Sequence, residues 1–103
     1  MAIEFNRKRV AFDNSRNISQ ILPVSETLRR PIRSVQCALQ GFDVQFANGD
    51  HPLRQLRIDI SDPEIVNRTG VSFDVRLGLR DASGTFDDPY GGSVDVLIIA
   101  EVD

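Results

Sequence analysis

Hydrophobic and polar residues alternate most regularly over residues 71–80, and the rest of the chain is arranged around this stretch. One of its faces is entirely apolar and consists of Val71, Phe73, Val75, Leu77 and Leu79. Side chains of a β-strand point to opposite faces in turn, so this period of two predicts a half-buried strand. Residues 93–102 alternate in the same way, after a loop rich in Asp, Gly, Ser and Pro. We therefore expect two antiparallel strands that present one long polar loop between them.

Weaker alternation along the rest of the chain predicts four more strands. They are expected over residues 3–12, 18–24, 32–46 and 53–61. The second of these should stop near Pro23, and the third should be a long central strand with a kink at Gly41. Asp62 and Pro63 have the residue types of an N-cap and a first helical position, so they predict one short helical turn. No helix of normal length is expected.

Alternating strands of this kind must bury one face against another layer, and a second sheet is the usual solution. We therefore expect an all-β fold, a six-stranded antiparallel β-sandwich with no long helix. The expected core follows from the alternation alone and consists of Val35, Cys37, Leu39, Leu56, Ile58, Ile60, Phe73, Val75, Leu77, Val94, Val96 and Ile98.

The length of the chain, 103 residues, has room for one hydrophobic core and one domain, residues 1–103. Residues 1–16 are weakly patterned and are expected to form an N-terminal arm or an edge strand. The single cysteine excludes an intramolecular disulfide. Cys37 lies in an alternating apolar run, so we expect a small buried hydrophobe rather than a nucleophile.

The net charge of −3 is spread unevenly along the chain. Residues 1–52 carry seven basic and five acidic side chains, whereas residues 53–103 carry five basic and ten acidic ones. This balance argues against a nucleic-acid module and permits head-to-tail contact between subunits, although ordinary surface scatter explains it equally well. No apolar run approaches a membrane span, and the N-terminus lacks the apolar core of a signal peptide. We expect a soluble protein without membrane insertion, in a compartment that the sequence does not identify.

Motifs for catalysis are missing from the sequence. A single histidine, His51, cannot build a zinc site or a Ser-His-Asp array with others, and no Gly-rich loop opens a helix as a phosphate cradle requires. We therefore expect a protein that is not an enzyme. Asp81, Asp87 and Asp88 form a carboxylate-rich loop that could hold calcium. Their spacing is not that of a calcium loop, and Asp is common in turns, so no metal or other cofactor is our main expectation.

Four segments between Arg30 and Val102 resemble, in their order, the strands of the H-type lectins, the family of snail agglutinins and of the C-terminal domain of slime-mould discoidins. The segments are RPIRSVQCALQGFDV, LRQLRIDIS, TGVSFDVRL and VDVLIIAEV. They resemble, respectively, a proline-led strand that ends in a Leu-Asp segment, a strand begun by an arginine, a Thr-Gly-Phe strand and a final apolar strand. With the short strand ahead of the proline, the resemblance covers about 85 residues of the chain.

This resemblance implies a six-stranded sandwich that assembles as a homotrimer, or as a hexamer of two trimers, and holds a glycan at the subunit boundaries. In that family an arginine of the middle strand and an aromatic-led turn after the Thr-Gly-Phe strand contact the sugar. The arginine corresponds to Arg57 or Arg54, and Arg57 agrees better with the inward register of the residues that follow. The aromatic position is occupied by Arg80, followed by Asp81, and the chain has no tryptophan. The sugar site is therefore where this sequence departs from the family.

Sugar recognition needs an apolar plate and fixed polar groups for the hydroxyls. The expected ligand-binding residues are Arg57, Arg80, Asp81, Phe86, Asp87, Asp88 and Tyr90. Phe86 and Tyr90 are the candidate plates, with the alternative that Phe86 anchors the loop and Tyr90 packs after Pro89. Two functions stay open: a multivalent carbohydrate-binding lectin-like module, and a structural or assembly protein, for example a phage or virion component, that uses the sandwich only to trimerise.

Overall fold

The structure is a computed structural model that describes residues 2–16, 19–47, 49, 53–81 and 89–103. Within these residues the chain forms seven strands and no helix. They are β1 (Ala2–Arg16), β2 (Gln20–Thr27), β3 (Ile32–Phe46), β4 (Leu53–Ile60), β5 (Glu64–Val66), β6 (Gly70–Asp81) and β7 (Tyr90–Val102). A helix long and apolar enough to cross a membrane is accordingly not found in this part of the chain.

The strands form two antiparallel sheets that pack face to face. The first sheet has the order β1-β7-β3, and the second has the order β2-β6-β4, with the short β5 pairing with β6 beyond the end of β4. The six long strands divide equally between the sheets. The all-β sandwich predicted from the alternating pattern is therefore confirmed.

The two most regular stretches of the sequence become the central strands of the two sheets. β6 lies between β2 and β4, and β7 lies between β1 and β3. β7 is apolar on both faces over much of its length, and a strand of that kind is favoured at the centre of a sheet. β6 and β7 therefore face each other across the core instead of pairing edge to edge.

Three local predictions are wrong. β3 is an edge strand and not a central one, although its register does shift between Leu39 and Gly41, as the expected kink requires. β2 continues through Pro23 to Thr27, which is tolerated because β2 is also an edge strand. The expected helical turn after Asp62 is instead β5, whose three residues pair with the start of β6. For residues 1–16, the edge-strand alternative is correct, since β1 pairs with β7 almost throughout.

The core lies between β6 and β7 and is filled mainly by their inward side chains. Its fully buried members include Val75, Leu77, Val94, Val96 and Ile98, all of which belong to the core expected from the alternation. Tyr90 and Val102 are also fully buried, although the expected core does not include them. The expected core residues of β3 and β4 are only partly covered, and Leu39 is 46% exposed, so its assignment to the core is wrong. The sandwich is thus well packed at its centre and less so toward β3 and β4.

The molecule is long and narrow. Its principal extents are 49 × 19 × 17 Å, and its radius of gyration is 15.7 Å. A compact domain of this length has a radius of gyration of about 13 Å. The lateral sides of the sandwich therefore make up a large share of its surface.

Candidate functional site

The outer face of the β2-β6-β4 sheet carries Arg57 and Arg80, two of the predicted ligand-binding residues. On β6 the residues that point away from the core alternate with the buried ones and are Ser72, Asp74, Arg76, Gly78 and Arg80. Pairing across the sheet places Arg57 beside Gly78, and places Asp59 beside Arg76. Directly paired residues point to the same face of a sheet. The side chains of Arg57, Asp59 and Arg76 therefore lie close together on the outer face, with Asp59 next to both arginines.

Arg57 and Asp59 contact each other on β4. The Nε atom of Arg57 donates a hydrogen bond to Oδ2 of Asp59 over 2.6 Å, and about half of each side chain is exposed. This contact presents guanidinium donors and carboxylate oxygens in one fixed arrangement. The Arg57 side chain is 58% exposed, so it stays accessible to a ligand that can accept hydrogen bonds.

A shallow depression of about 350 Å³ adjoins this ion pair. Its lining includes Arg57, Asp59, Asp74 and Arg76, together with Ile21 from β2, whose side chain is 50% exposed. Two hydrogen bonds donated by backbone amides fix one end of the depression. The Ser61 amide donates to the Asp74 carbonyl oxygen over 2.9 Å, and the Asp74 amide donates to Oγ of Ser61 over 2.8 Å.

The structure brings two of the predicted site residues to the same face. Arg80 pairs with Gln55, two residues before Arg57, so Arg57 and Arg80 are diagonal neighbours. Gly78, which pairs with Arg57, has no side chain and is itself buried. Arg80 itself is partly buried, including its Nε atom.

Tyr90 is not available as a sugar platform, which corrects its assignment as a ligand-binding residue. Its side chain is 0% exposed, and its hydroxyl donates a hydrogen bond to the Leu77 carbonyl oxygen over 2.9 Å. The buried amide of Gln20 donates to the carbonyl oxygen of Tyr90 over 3.4 Å and to that of Asp13 over 3.0 Å. Burial raises the pKa of the Tyr90 hydroxyl. Tyr90 therefore packs in the core, as the alternative reading of its position after Pro89 states.

The remaining predicted residues fall outside the described part of the site. Asp81 pairs through its backbone with Leu53, but its side chain is not described. Phe86, Asp87 and Asp88 lie outside the described residues, as does His51. The calcium alternative on Asp81, Asp87 and Asp88 is consequently not addressed. Among the residues that are described, no group of three or more His, Cys, Asp or Glu side chains could hold a metal ion.

Sequence reasoning missed Ile21 and Asp59 as members of the site. A signal for Asp59 existed, because it lies two residues after Arg57 and so shares its face in a strand. Ile21 had no such signal, since only the pairing of β2 with β6 places it opposite Arg76. Cys37 stays outside the site on β3, where burial raises the pKa of its thiol to about 11 and keeps it protonated.

No family model, no curated protein and no solved structure matches this chain. The resemblance to the H-type lectins therefore stays a prediction from the sequence motifs. The geometry of the outer face is the evidence on which a functional proposal has to stand.

Proposed function

We propose that this chain is a non-catalytic carbohydrate-binding module, lectin-like in its recognition chemistry and multivalent through assembly as a homotrimer or hexamer. The observation that carries the proposal is the depression beside the Arg57–Asp59 ion pair. It combines donors, acceptors and an apolar side chain within one small concave surface, which is what a sugar with one apolar face and several hydroxyl groups requires.

Each part of the depression has a role in this proposal. Arg57 donates to vicinal hydroxyl oxygens, and Asp59 fixes the guanidinium plane while accepting hydrogen bonds from hydroxyl groups. Ile21 supplies an aliphatic surface for the C–H face of the sugar. An aliphatic platform is weaker than an aromatic one, so a single site of this kind is expected to bind weakly and to depend on multivalency.

The second candidate function is that of a structural or assembly protein, for example a phage or virion component. It is favoured by the loss of the family's aromatic residue at Arg80 and by the burial of Tyr90. In this alternative the charged outer face is a solvated surface, and the sandwich serves only to join subunits.

A glycan array probed with the purified chain, with and without calcium, tests the proposal. We expect binding to a subset of glycans, and we expect Arg57→Ala to lose it because the main donor is removed. Arg29→Ala is the matched control, since Arg29 is an exposed arginine that does not line the depression and follows Leu28, whose amide donates to the Thr69 carbonyl oxygen ahead of β6. The carbohydrate proposal is wrong if the wild-type chain binds no glycan, or if Arg57→Ala and Arg29→Ala reduce binding equally.

A further inference from the structure

The two lateral sides of the sandwich differ in chemistry. On one side β1 and β2 approach each other. Three residues in the middle of β1 pair with buried residues of β7 and so point toward the core side of the sheet. All three are polar: Glu4, Asn6 and Lys8. Nζ of Lys8 lies 3.3 Å from Oε2 of Glu26 on β2, so an ion pair spans the gap between the two sheets. The polar and charged side chains on this side of the sandwich favour its exposure to water.

The opposite side, where β3 and β4 approach each other, is apolar at the corresponding positions. We call it the β3–β4 edge, and it consists of Val35, Cys37, Leu39, Phe42, Val44, Phe46, Leu56, Ile58 and Ile60. Leu39 and Phe42 pair with Val96 and Val94, both fully buried, and so lie in the register of the core. They are nevertheless 46% and 51% exposed, because nothing in the described chain covers them from the side.

The backbone of β3 adds to this contrast. An exposed edge strand is normally protected from pairing with another chain by charged residues or proline. β1 carries Arg7, Lys8 and Arg9, and β2 carries Pro23, whereas residues 34–42 of β3 contain no charged residue and no proline. β3 is therefore the long edge strand that lacks this protection over most of its length.

We propose that the β3–β4 edge is the surface through which copies of this chain associate. The inference deepens the assembly part of the proposed function and rests on it. In the assembly the apolar edges of neighbouring copies cover one another, so that the half-buried side chains of β3 and β4 become core residues of the oligomer.

The dimensions of the edge fit a stable contact between subunits. On β3 the edge extends from Val35 to Phe46, which at about 3.3 Å per residue is a length of about 40 Å. Packed sheets are about 10 Å apart, so its projected area is on the order of 400 Å², and the accessible area of its corrugated surface is larger. A standard interface takes about 800 Å² from each partner, which is the same order.

A second copy of the chain is the occupant that the neighbouring charges favour. β4 is the outer strand of the edge, and its solvent-facing row carries Arg57 and Asp59 side by side. A rim that bears both signs is complementary to itself when two copies meet. The apolar strips of neighbouring copies likewise exclude water when they meet, and this holds for three strips that converge on a threefold axis as well as for two strips.

Light scattering on purified protein, with one variant on the edge and one away from it, tests the inference. We expect the wild type to have the mass of a trimer or a hexamer of the 11.5 kDa chain. Leu39→Lys should weaken self-association at least about thirtyfold, because it places a charge in an apolar contact. Ile3→Lys is the matched control, since Ile3 is also an exposed apolar residue, 62% against 46%, but lies on β1, the opposite edge strand of the same sheet.

The thiol of Cys37 gives a second readout, because Cys37 is itself part of the β3–β4 edge. Its reaction with an aromatic disulfide reagent should be slower in the wild-type oligomer than in Leu39→Lys, while circular dichroism shows both to be folded. Phe42→Lys should reproduce the result if Leu39→Lys fails to fold.

The outcomes distinguish the proposed interface from the proposed assembly. If the wild type is an oligomer and the edge variants keep its mass, the β3–β4 edge is not the interface, while the assembly proposal stands. A wild-type monomer at micromolar concentration overturns both, and glycan binding by that monomer would leave only the carbohydrate proposal. Dissociation by Ile3→Lys but not by Leu39→Lys would place the interface elsewhere and overturn the inference.

Discussion

Tyr90 provides the sharpest test of how this sandwich is held together, because its ring fills the core and its hydroxyl reaches the opposite sheet. Tyr90→Ala removes a fully buried aromatic ring and leaves a cavity between β6 and β7. Truncations of this kind cost about 3–5 kcal/mol. Tyr90→Phe keeps the ring and removes only the hydrogen bond to the Leu77 carbonyl oxygen, which is 2.9 Å long. That change should cost about 1 kcal/mol.

These costs can be measured by urea denaturation and thermal melting at one fixed protein concentration, since self-association makes both transitions depend on concentration. About 1 kcal/mol corresponds to a shift of roughly 4–8 °C in Tm for a domain of this size. Phe5→Ala is the control, because Phe5 is an aromatic residue that is 65% exposed, and its loss should change stability by less than about 0.5 kcal/mol.

The raised pKa of Tyr90 adds a pH dependence to the same comparison. The folded state holds the phenolic proton to higher pH than the unfolded state does. The contribution of Tyr90 is therefore fully present below the unfolded pKa of about 10 and is lost as pH rises through the folded pKa. Tyr90→Phe should lack this loss. The comparison is best made with Cys37→Ser in both proteins, because the thiol pKa is raised as well.

If Tyr90→Ala costs no more than Phe5→Ala, the packing role described for Tyr90 is refuted. Loss of glycan binding by a Tyr90→Phe protein of unchanged stability would return Tyr90 to the ligand site.

Two further changes probe contacts of β7 with its neighbours. Gly92 has φ +140°, and a Cβ built there would lie 2.0 Å from the Asp43 carbonyl oxygen of β3, so Gly92→Ala should destabilise the chain by about 2–4 kcal/mol in a urea titration. Gly41→Ala, whose Cβ would meet only an ordinary contact at 3.9 Å, should stay within about 0.5 kcal/mol, and an equal effect of the two would contradict the close approach. The hydrogen bond from Arg9 lowers the pKa of the Asp95 carboxyl, so NMR titration should find it below the usual range and Arg9→Met should bring it back. This pair stabilises the fold above the unfolded pKa of Asp95 and loses its effect as pH falls, and an unchanged Asp95 titration in Arg9→Met would show that Arg9 is not the cause.

The alternating pattern was sufficient to predict the two sheets but not the place of each strand within them. A period of two reports that one face is buried, and it does so equally for an edge strand and a central one. β3 alternates well and was expected to be central, yet it has a neighbour on one side only. The apolar residues Leu97 and Ile99 on the second face of β7 were the better indication, because a central strand is often covered on both faces.

The sequence pattern could not place the short segment after Asp62 or the isolated aromatic residue Tyr90, because the position of each depends on contacts with a distant strand. Asp62 and Pro63 suit the first turn of a helix, but the three residues that follow gain more by pairing with the free edge of β6. Tyr90 after a polar loop fits an exposed platform and a buried anchor equally well. Only the packing of β7 against β6 decides between them, and that packing involves residues far apart in the chain.

The pairing of β1 with β7 sets the order in which the protein can be completed during synthesis. Ala2 pairs with Val102, so β1 leaves the ribosome before the other described strands and has to wait for β7, which follows them in the chain. The β2-β6-β4 sheet uses only strands up to Asp81 and is free to pair earlier. Until β7 emerges, β1 and β3 have no neighbour between them, and the uncharged stretch of β3 is exposed to other nascent chains. The strand that we propose as the contact between finished subunits is therefore also the one exposed to non-native pairing before β7 emerges.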